Sequence, residues 1–235
     1  IWQRATNPWL SMDDWAKCER AYTLEEMEGQ DCFAGLDLSR TRDMTALVLV
    51  FPIEQENGRT IYRQWPIFWL PEAAVEQYKN RLDIAGWQRS GHLALMGDTY
   101  ADVEAAILDV SKRFNLVELG FDPMYARDLA EKLQNDHGIM VVEVPQTIMQ
   151  FAGPTAEYER LLIHGVLHHP GNPVLTWQAG NVNIKTDANA NKRPVKPPGP
   201  DYRKIDGIVA GIMAVGRARA RKPKASAEVV AVDWG

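Results

Sequence analysis

Three aspartates stand where carboxylates could do chemistry. Asp37 lies in the run Phe33-Ala34-Gly35-Leu36-Asp37-Leu38-Ser39, a charge set in an otherwise apolar strand pattern. Such a charge is costly to bury unless a cation or hydrogen bonds compensate it. Asp122 closes Leu116-Val117-Glu118-Leu119-Gly120-Phe121 and precedes Pro123, the point where a strand stops and a helix starts. Carboxyl ends of strands are where open α/β sheets place their sites. Asp206 opens the last helical pattern, with Val209, Ala210 and Met213 following at three, four and seven residues, so it falls on the apolar side.

Each of the three also has an ordinary explanation. Asp37 could bond turn amides, Asp122 could cap the helix that follows, and Asp206 could simply favour a helix dipole. The chemical expectation is that all three converge at one sheet edge. Mutual repulsion would then demand cations. Oxygen ligands, without Cys or His at ligand spacing, point to magnesium or manganese. Two such ions about 3.5–4 Å apart can activate water and stabilise a leaving oxygen at a phosphodiester.

The cationic residues come late. Lys192, Arg193, Lys196, Arg203 and Lys204 form one group, read either as solvated loop or as DNA phosphate contacts. Arg217, Arg219, Arg221, Lys222 and Lys224 form a second, read as a solvated helix end. With a net charge of −5, nucleic-acid contact has to be local rather than a bulk effect. His164, His168 and His169 precede Pro170-Gly171, which favours a helix terminus over a metal site. Cys18 and Cys32 are not spaced as zinc ligands or as a disulfide framework.

The elements that must position the acids follow from pattern. Apolar strands are expected at Phe33–Leu38, Met44–Phe51 and Thr60–Leu70. The turn Ser39-Arg40-Thr41-Arg42-Asp43 joins the first two, and Asn57-Gly58 precedes the third, giving an antiparallel meander. After Pro71 a helical stripe through Ala74, Val75, Tyr78 and Leu82 runs to Gly86. Strand and helix then alternate: a weak strand His92–Met96, helix Asp102–Phe114, strand Leu116–Phe121, helix Tyr125–Asn135 and strand Ile139–Val144. A helix Thr155–Gly165, a polar β-like stretch Val182–Val195 and a closing helix Ile205–Arg219 complete the series. Alternation of this kind implies parallel pairing. The expected fold is α/β, a ribonuclease-H-like mixed sheet with an antiparallel three-strand meander plus parallel strands, flanked by helices.

At 235 residues, 46% hydrophobic and 24% charged, the chain can bury one substantial core. Residues 1–30 read as a linker from an upstream domain, 31–222 as the domain and 223–235 as a flexible tail. No apolar run is long enough to span a bilayer.

Gly35-Leu36-Asp37-Leu38-Ser39, with Thr41, Asp43 and Thr45-Ala46-Leu47-Val48, resembles the start of the nuclease domain in large terminase subunits of tailed bacteriophages. So does His169-Pro170-Gly171-Asn172-Pro173-Val174-Leu175, through Trp177 and Asn181-Val182, to Lys204-Ile205-Asp206-Gly207 with Val209-Ala210. The likeness runs in order from Phe33 to Gly216. It implies a ribonuclease-H-like endonuclease that cuts concatemeric double-stranded viral DNA at packaging, with two Mg2+ or Mn2+ ions on Asp37, Asp122 and Asp206. Glu118, on the same strand face, is an alternative for the middle acid. It further implies an upstream ATPase domain, a small terminase subunit and a portal as partners, in the cytoplasm of an infected host cell. The chain itself shows no Gly-rich phosphate loop ending in Gly-Lys-Ser/Thr.

Two other readings compete. Asp37-Leu38-Ser39-Arg40-Thr41 also looks like the phosphate hairpin of actin-like ATP-binding phosphotransferases, though these need two copies of their fold. A non-catalytic DNA-binding or portal-docking module of the same fold is the other.

Overall fold

The computed structural model describes residues 9–39, 43–199 and 202–221. Arg40, Thr41 and Arg42 of the first turn, Lys222, Lys224, the expected tail and the first eight residues of the expected linker lie outside that set.

Two short helical pieces come first, α1 (Met12–Lys17) and a 3-10 turn (Glu25–Met27). The meander follows as β1 (Asp31–Asp37), β2 (Thr45–Glu54) and β3 (Thr60–Pro71), paired antiparallel throughout. Next come α2 (Glu72–Tyr78), α3 (Ile84–Arg89), β4 (Ala94–Met96), α4 (Ala101–Arg113), β5 (Asn115–Phe121), α5 (Pro123–His137) and β6 (Val141–Glu143). The remainder is α6 (Ile148–Ile163), β7 (Leu167–His168), α7 (Pro173–Ala179), β8 (Asn183–Thr186), β9 (Lys192–Val195) and α8 (Asp206–Ala220).

The main sheet runs β4-β3-β2-β1-β5-β6, with β7 added beside β3. β4 pairs parallel to β3, β5 to β1 and β6 to β5, so the sheet is mixed as the element order implied. β8 and β9 form a separate antiparallel hairpin. Side chains alternate across the sheet, as the period of two in a strand requires. From β2, Ala46, Val48 and Val50 enter the core under α6, α7 and α8, while Leu47, Leu49 and Phe51 enter the core under α4 and α5.

Helix α8 is apolar on nearly every face, with Ile208, Val209, Ala210, Ile212, Met213, Ala214 and Val215 all buried. A helix of that kind must be covered all round. It lies between the sheet and α6. Its approach to β1 depends on Gly35: a Cβ there would overlap the Ala210 carbonyl oxygen and stand 2.8 Å from the Ala214 amide nitrogen.

Several expected elements differ in detail. The helix after Pro71 is two short ones, because Asp83 caps a new start with its side chain on the Gly86 amide. Helix α6 begins at Ile148, capped by Thr147, rather than at Thr155, and carries Pro154 inside. The His168-His169 break contains strand β7, and His169 stacks on Trp15 at 4.2 Å between ring centroids. Helix α7 had no sequence expectation. Residues 9–30 contribute Leu10, Trp15, Cys18, Tyr22 and Met27 to the buried core. Among the described residues no helix is long and apolar enough to cross a membrane.

Candidate active site

The three aspartates reach one cavity by three routes. Asp37 is the last residue of β1, and Leu36 pairs in parallel register with Phe121 of β5. Asp122, one residue beyond Phe121, therefore ends the neighbouring strand at the same edge. It also caps α5, accepting from the Met124 amide at 3.0 Å. Asp206 is the first residue of α8, whose contact with Gly35 brings its N-terminus to this edge. Asp37, Asp122 and Asp206 line a cavity of about 380 Å³, together with Asp43, Tyr125, Gln146, Arg193 and Lys196.

The convergence has an electrostatic signature. Burial holds the Asp37 carboxyl well above its ordinary range, and the negative charges of Asp206 and Asp122 add to the effect. Burial likewise pushes Asp206 up to about 6, with Lys196 acting in the opposite sense. Asp206 Oδ2 is buried without a hydrogen-bond partner. An unpaired buried carboxylate oxygen beside two further carboxylates is a poor resting state for an anion and a good one for a cation's ligand. Among the described residues no three carboxylate, thiol or imidazole groups are already gathered in metal-holding geometry. The acids line the cavity without being drawn onto one point. Hard oxygen donors, an orphaned oxygen and repelling charges fit divalent magnesium or manganese.

Asp43, expected only as a turn residue and as part of the family-like run, is a fourth acid at the cavity. It accepts from Lys196 at 2.7 Å and from Lys204, and these bonds outweigh burial to hold its carboxyl below the ordinary value. Lys196 also stands 4.0 Å from Asp206 Oδ1. Nothing in its local pattern distinguished Asp43 from a turn residue, since its partners lie more than 150 positions away.

The expected cationic contacts separate into different kinds. Lys204 is corrected: its side chain is fully enclosed, bonded to Asp43 and to the Tyr78 hydroxyl at 2.8 Å, and it is an internal counter-ion rather than a surface phosphate contact. Lys192 pairs with Glu159 at 3.1 Å, and Arg193 donates to the Gln146 carbonyl at 2.7 Å while lining the cavity. Lys196 lines it too, and Arg203 lies beside Gly199. Glu118, the alternative middle acid, accepts from Arg217 at 2.6 Å and does not line the cavity.

Two buried amides set the acid-bearing segment 204–207. Helix α8 has no side-chain cap of its own at Ile205. Instead Gln178, on α7, accepts from the Gly207 amide at 2.5 Å and donates to Met44 Sδ at 3.4 Å. Asn181 donates to the Lys204 carbonyl at 3.3 Å. The quoted run from Trp177 to Asn181 thus acts as a clamp on both sides of Asp206.

Comparison with known proteins gives the fold and the family. Over 90% of the chain the fold superposes on the crystal structure of the HK97 bacteriophage large terminase, with a TM-score of 0.77 and 29% identity, covering 43% of that chain. It also matches the large terminase nuclease of thermophilic phage G20c, crystallised with bound magnesium, at a TM-score of 0.52 and 11% identity, over 81% of this chain and 84% of that one. The fold is therefore that of the ribonuclease-H-like terminase nucleases. In sequence, the chain is 32% identical to Protein YmfN of Escherichia coli (strain K12) over 93% of its length and 50% of that protein's. It is 28% identical to the terminase large subunit of Enterobacteria phage HK97 over 90% of its length and 42% of the relative's. Residues 1–222 match the family described as Terminase large subunit, endonuclease domain, and the chain belongs to that family. It spans half or less of the length of these curated relatives.

Proposed function

We propose that this chain is a divalent-metal-dependent DNA endonuclease that cuts double-stranded viral DNA during genome packaging. Asp37, Asp122 and Asp206 would hold two Mg2+ or Mn2+ ions. The observation that carries the reading is the convergence of these acids on one cavity with Asp206 Oδ2 left unpaired. Magnesium bound to the G20c nuclease, which shares the fold, supports the choice of ion.

When bound, the ions supply Lewis-acid charge that lowers the pKa of water and offsets charge on the departing oxygen. The chain's own residues orient and neutralise. Lys196 balances Asp43 and Asp206 beside the place a phosphate would occupy, and Arg193 offers a second cation on the same wall. Lys192 and Arg203 extend the phosphate-binding side, while Lys204 holds Asp43 from within. These contacts reach backbone rather than bases, so cutting is expected to show little sequence preference.

The remaining length of the relatives is the place for an upstream ATPase domain, with a small terminase subunit and a portal as further partners in the host cytoplasm. The test is plasmid cleavage. The chain should nick and linearise supercoiled DNA with manganese or magnesium, and Asp37→Asn or Asp206→Asn should abolish it. Undiminished cutting by both variants, or none by the parent with either ion, would remove the reading.

A further inference from the structure

The second basic group, expected to be a solvated helix end, takes part in a pocket at the far end of α8 from the acids. A cavity of about 330 Å³ is lined by Arg59, Thr60, Tyr62, Arg160, His164 and Arg219. These residues come from the start of β3, the end of α6 and the last turn of α8. Arg160 grips both Glu157 oxygens at 2.8 Å, and Arg219 reaches Glu157 at 2.7 Å and the Tyr62 hydroxyl at 3.1 Å. Arg59 donates to the His164 carbonyl at 3.0 Å.

Charge does not balance within this group. Glu157 offsets one of the three guanidinium charges lining the cavity, and its two oxygens are already shared between Arg160 and Arg219. A guanidinium carries five N–H donors, and the acceptors named here use only part of that capacity. The side chains of Arg160 and Arg219 remain 47% and 49% exposed, so the surplus faces solvent rather than the core. Planar forks lining a solvent-facing recess suit a tetrahedral oxyanion.

Resting on the proposed nuclease reading, we propose that this pocket is a second binding site for a backbone phosphate of duplex DNA, separate from the acidic cavity. At about 1.5 Å rise per residue, Asp206 and Arg219 at opposite ends of α8 stand roughly 20 Å apart. With about 3.4 Å between successive phosphate charges of one strand, that distance corresponds to roughly six base pairs. A duplex longer than about six base pairs is long enough to span that separation. The pocket holds DNA at a fixed offset from the cut and takes no part in the chemistry.

Its test separates holding from cutting. Binding of a fluorescent 24-base-pair duplex, without divalent metal, is titrated across a series of monovalent salt concentrations for the parent chain, for Arg59→Gln combined with Arg160→Gln, and for Thr60→Asp. The Thr60 variant adds an anion while leaving every guanidinium and the Glu157 pairing in place, which guards against misfolding of the double variant. The double variant should lower the slope of log affinity against log salt by about 2 and weaken binding roughly tenfold at moderate salt. Thr60→Asp should move both readouts in the same direction, and in manganese both variants should cut saturating DNA at the parent's maximal rate. Parent-like affinity and slope in both variants would overturn the site. Competition by poly-glutamate with no loss of duplex binding in either variant would overturn it in favour of an acidic protein partner. A parent that binds with the arginine-dependent slope yet never cuts would sink the nuclease reading and leave this pocket standing.

Discussion

Gln178 caps a helix that it does not belong to: its Oε1 accepts the Gly207 amide at 2.5 Å, one residue beyond Asp206. The first amides of a helix need acceptors, and α8 has no side-chain cap of its own. Replacing Gln178 by Leu should cost about 1–3 kcal/mol, since a buried N–H loses its partner. Gln178→Glu keeps the acceptor and should restore part of the cleavage that Gln178→Leu loses. Urea unfolding and manganese titration of cleavage check both. Equal cutting at every manganese concentration by Gln178→Leu and parent would remove the positioning role.

Metal-free stability should fall as pH rises from about 4 to 6. Asp206 is raised to about 6 and Asp37 is raised as well, so the folded chain holds protons that the unfolded chain has released. A group of that kind contributes fully below its unfolded value and loses that contribution as pH rises through its folded one. Asp43, held low by Lys196 and Lys204, acts oppositely and is lost as pH drops below 4. Asp206→Asn should therefore raise the melting midpoint at pH 7.5 by roughly 2–6 °C without metal. Manganese should raise the parent's midpoint more at pH 7.5 than at pH 5. A midpoint shift that is larger at the acidic pH would contradict the assignment of the acids as ligands.

Asp43→Asn should be more harmful than its partly exposed position suggests. It removes the Asp43 charge from the enclosed Lys204 ammonium, which keeps the Tyr78 hydroxyl and ring among its contacts. Because Asp43 is partly open to solvent, removing its charge should cost about 1–3 kcal/mol, whereas replacing both sides by groups of similar shape is often near neutral. The double variant Asp43→Asn with Lys204→Met should recover much of the loss by chemical denaturation. Strictly additive losses would show that the two side chains do not act as a pair.

The middle acid can be settled by comparison. Glu118 is engaged with Arg217 away from the cavity, so Glu118→Gln should leave cleavage within about twofold and cost about 1–2 kcal/mol of stability. Asp122→Asn keeps the acceptor that caps α5 but loses the charge at the cavity. Its cleavage should fall at least tenfold with folding intact. The reverse ranking in a plasmid assay would move the role to Glu118.

Local pattern revealed the meander, because Asn57-Gly58 sets its second turn and β2 alternates cleanly between two cores. It also placed Asp37, Asp122 and Asp206 at element ends, which is a property of short windows. Features made by distant partners were not legible. Strand β7 exists through pairing with β3, and a two-residue strand carries no period to detect. Helix α6 runs further back than its apolar pattern suggested, because burial of Phe151 on one side of Pro154 and Thr155 on the other carries the helix through the proline. Lys204 looked like a loop lysine because Asp43 and Tyr78, its partners, are more than 120 positions away. Family resemblance supplied the grouping of the three acids, since spacing alone left each with an ordinary explanation.

Gly35 joins the first strand of the sheet to the final described helix at a distance that no larger residue permits. Until that helix has left the ribosome, β1 and β2 keep an uncovered greasy face and Asp37 has no Asp206 opposite it. The acid-lined cavity is thus assembled only once α8 has been made, and a polypeptide halted before Asp206 should emerge without it and prone to clump.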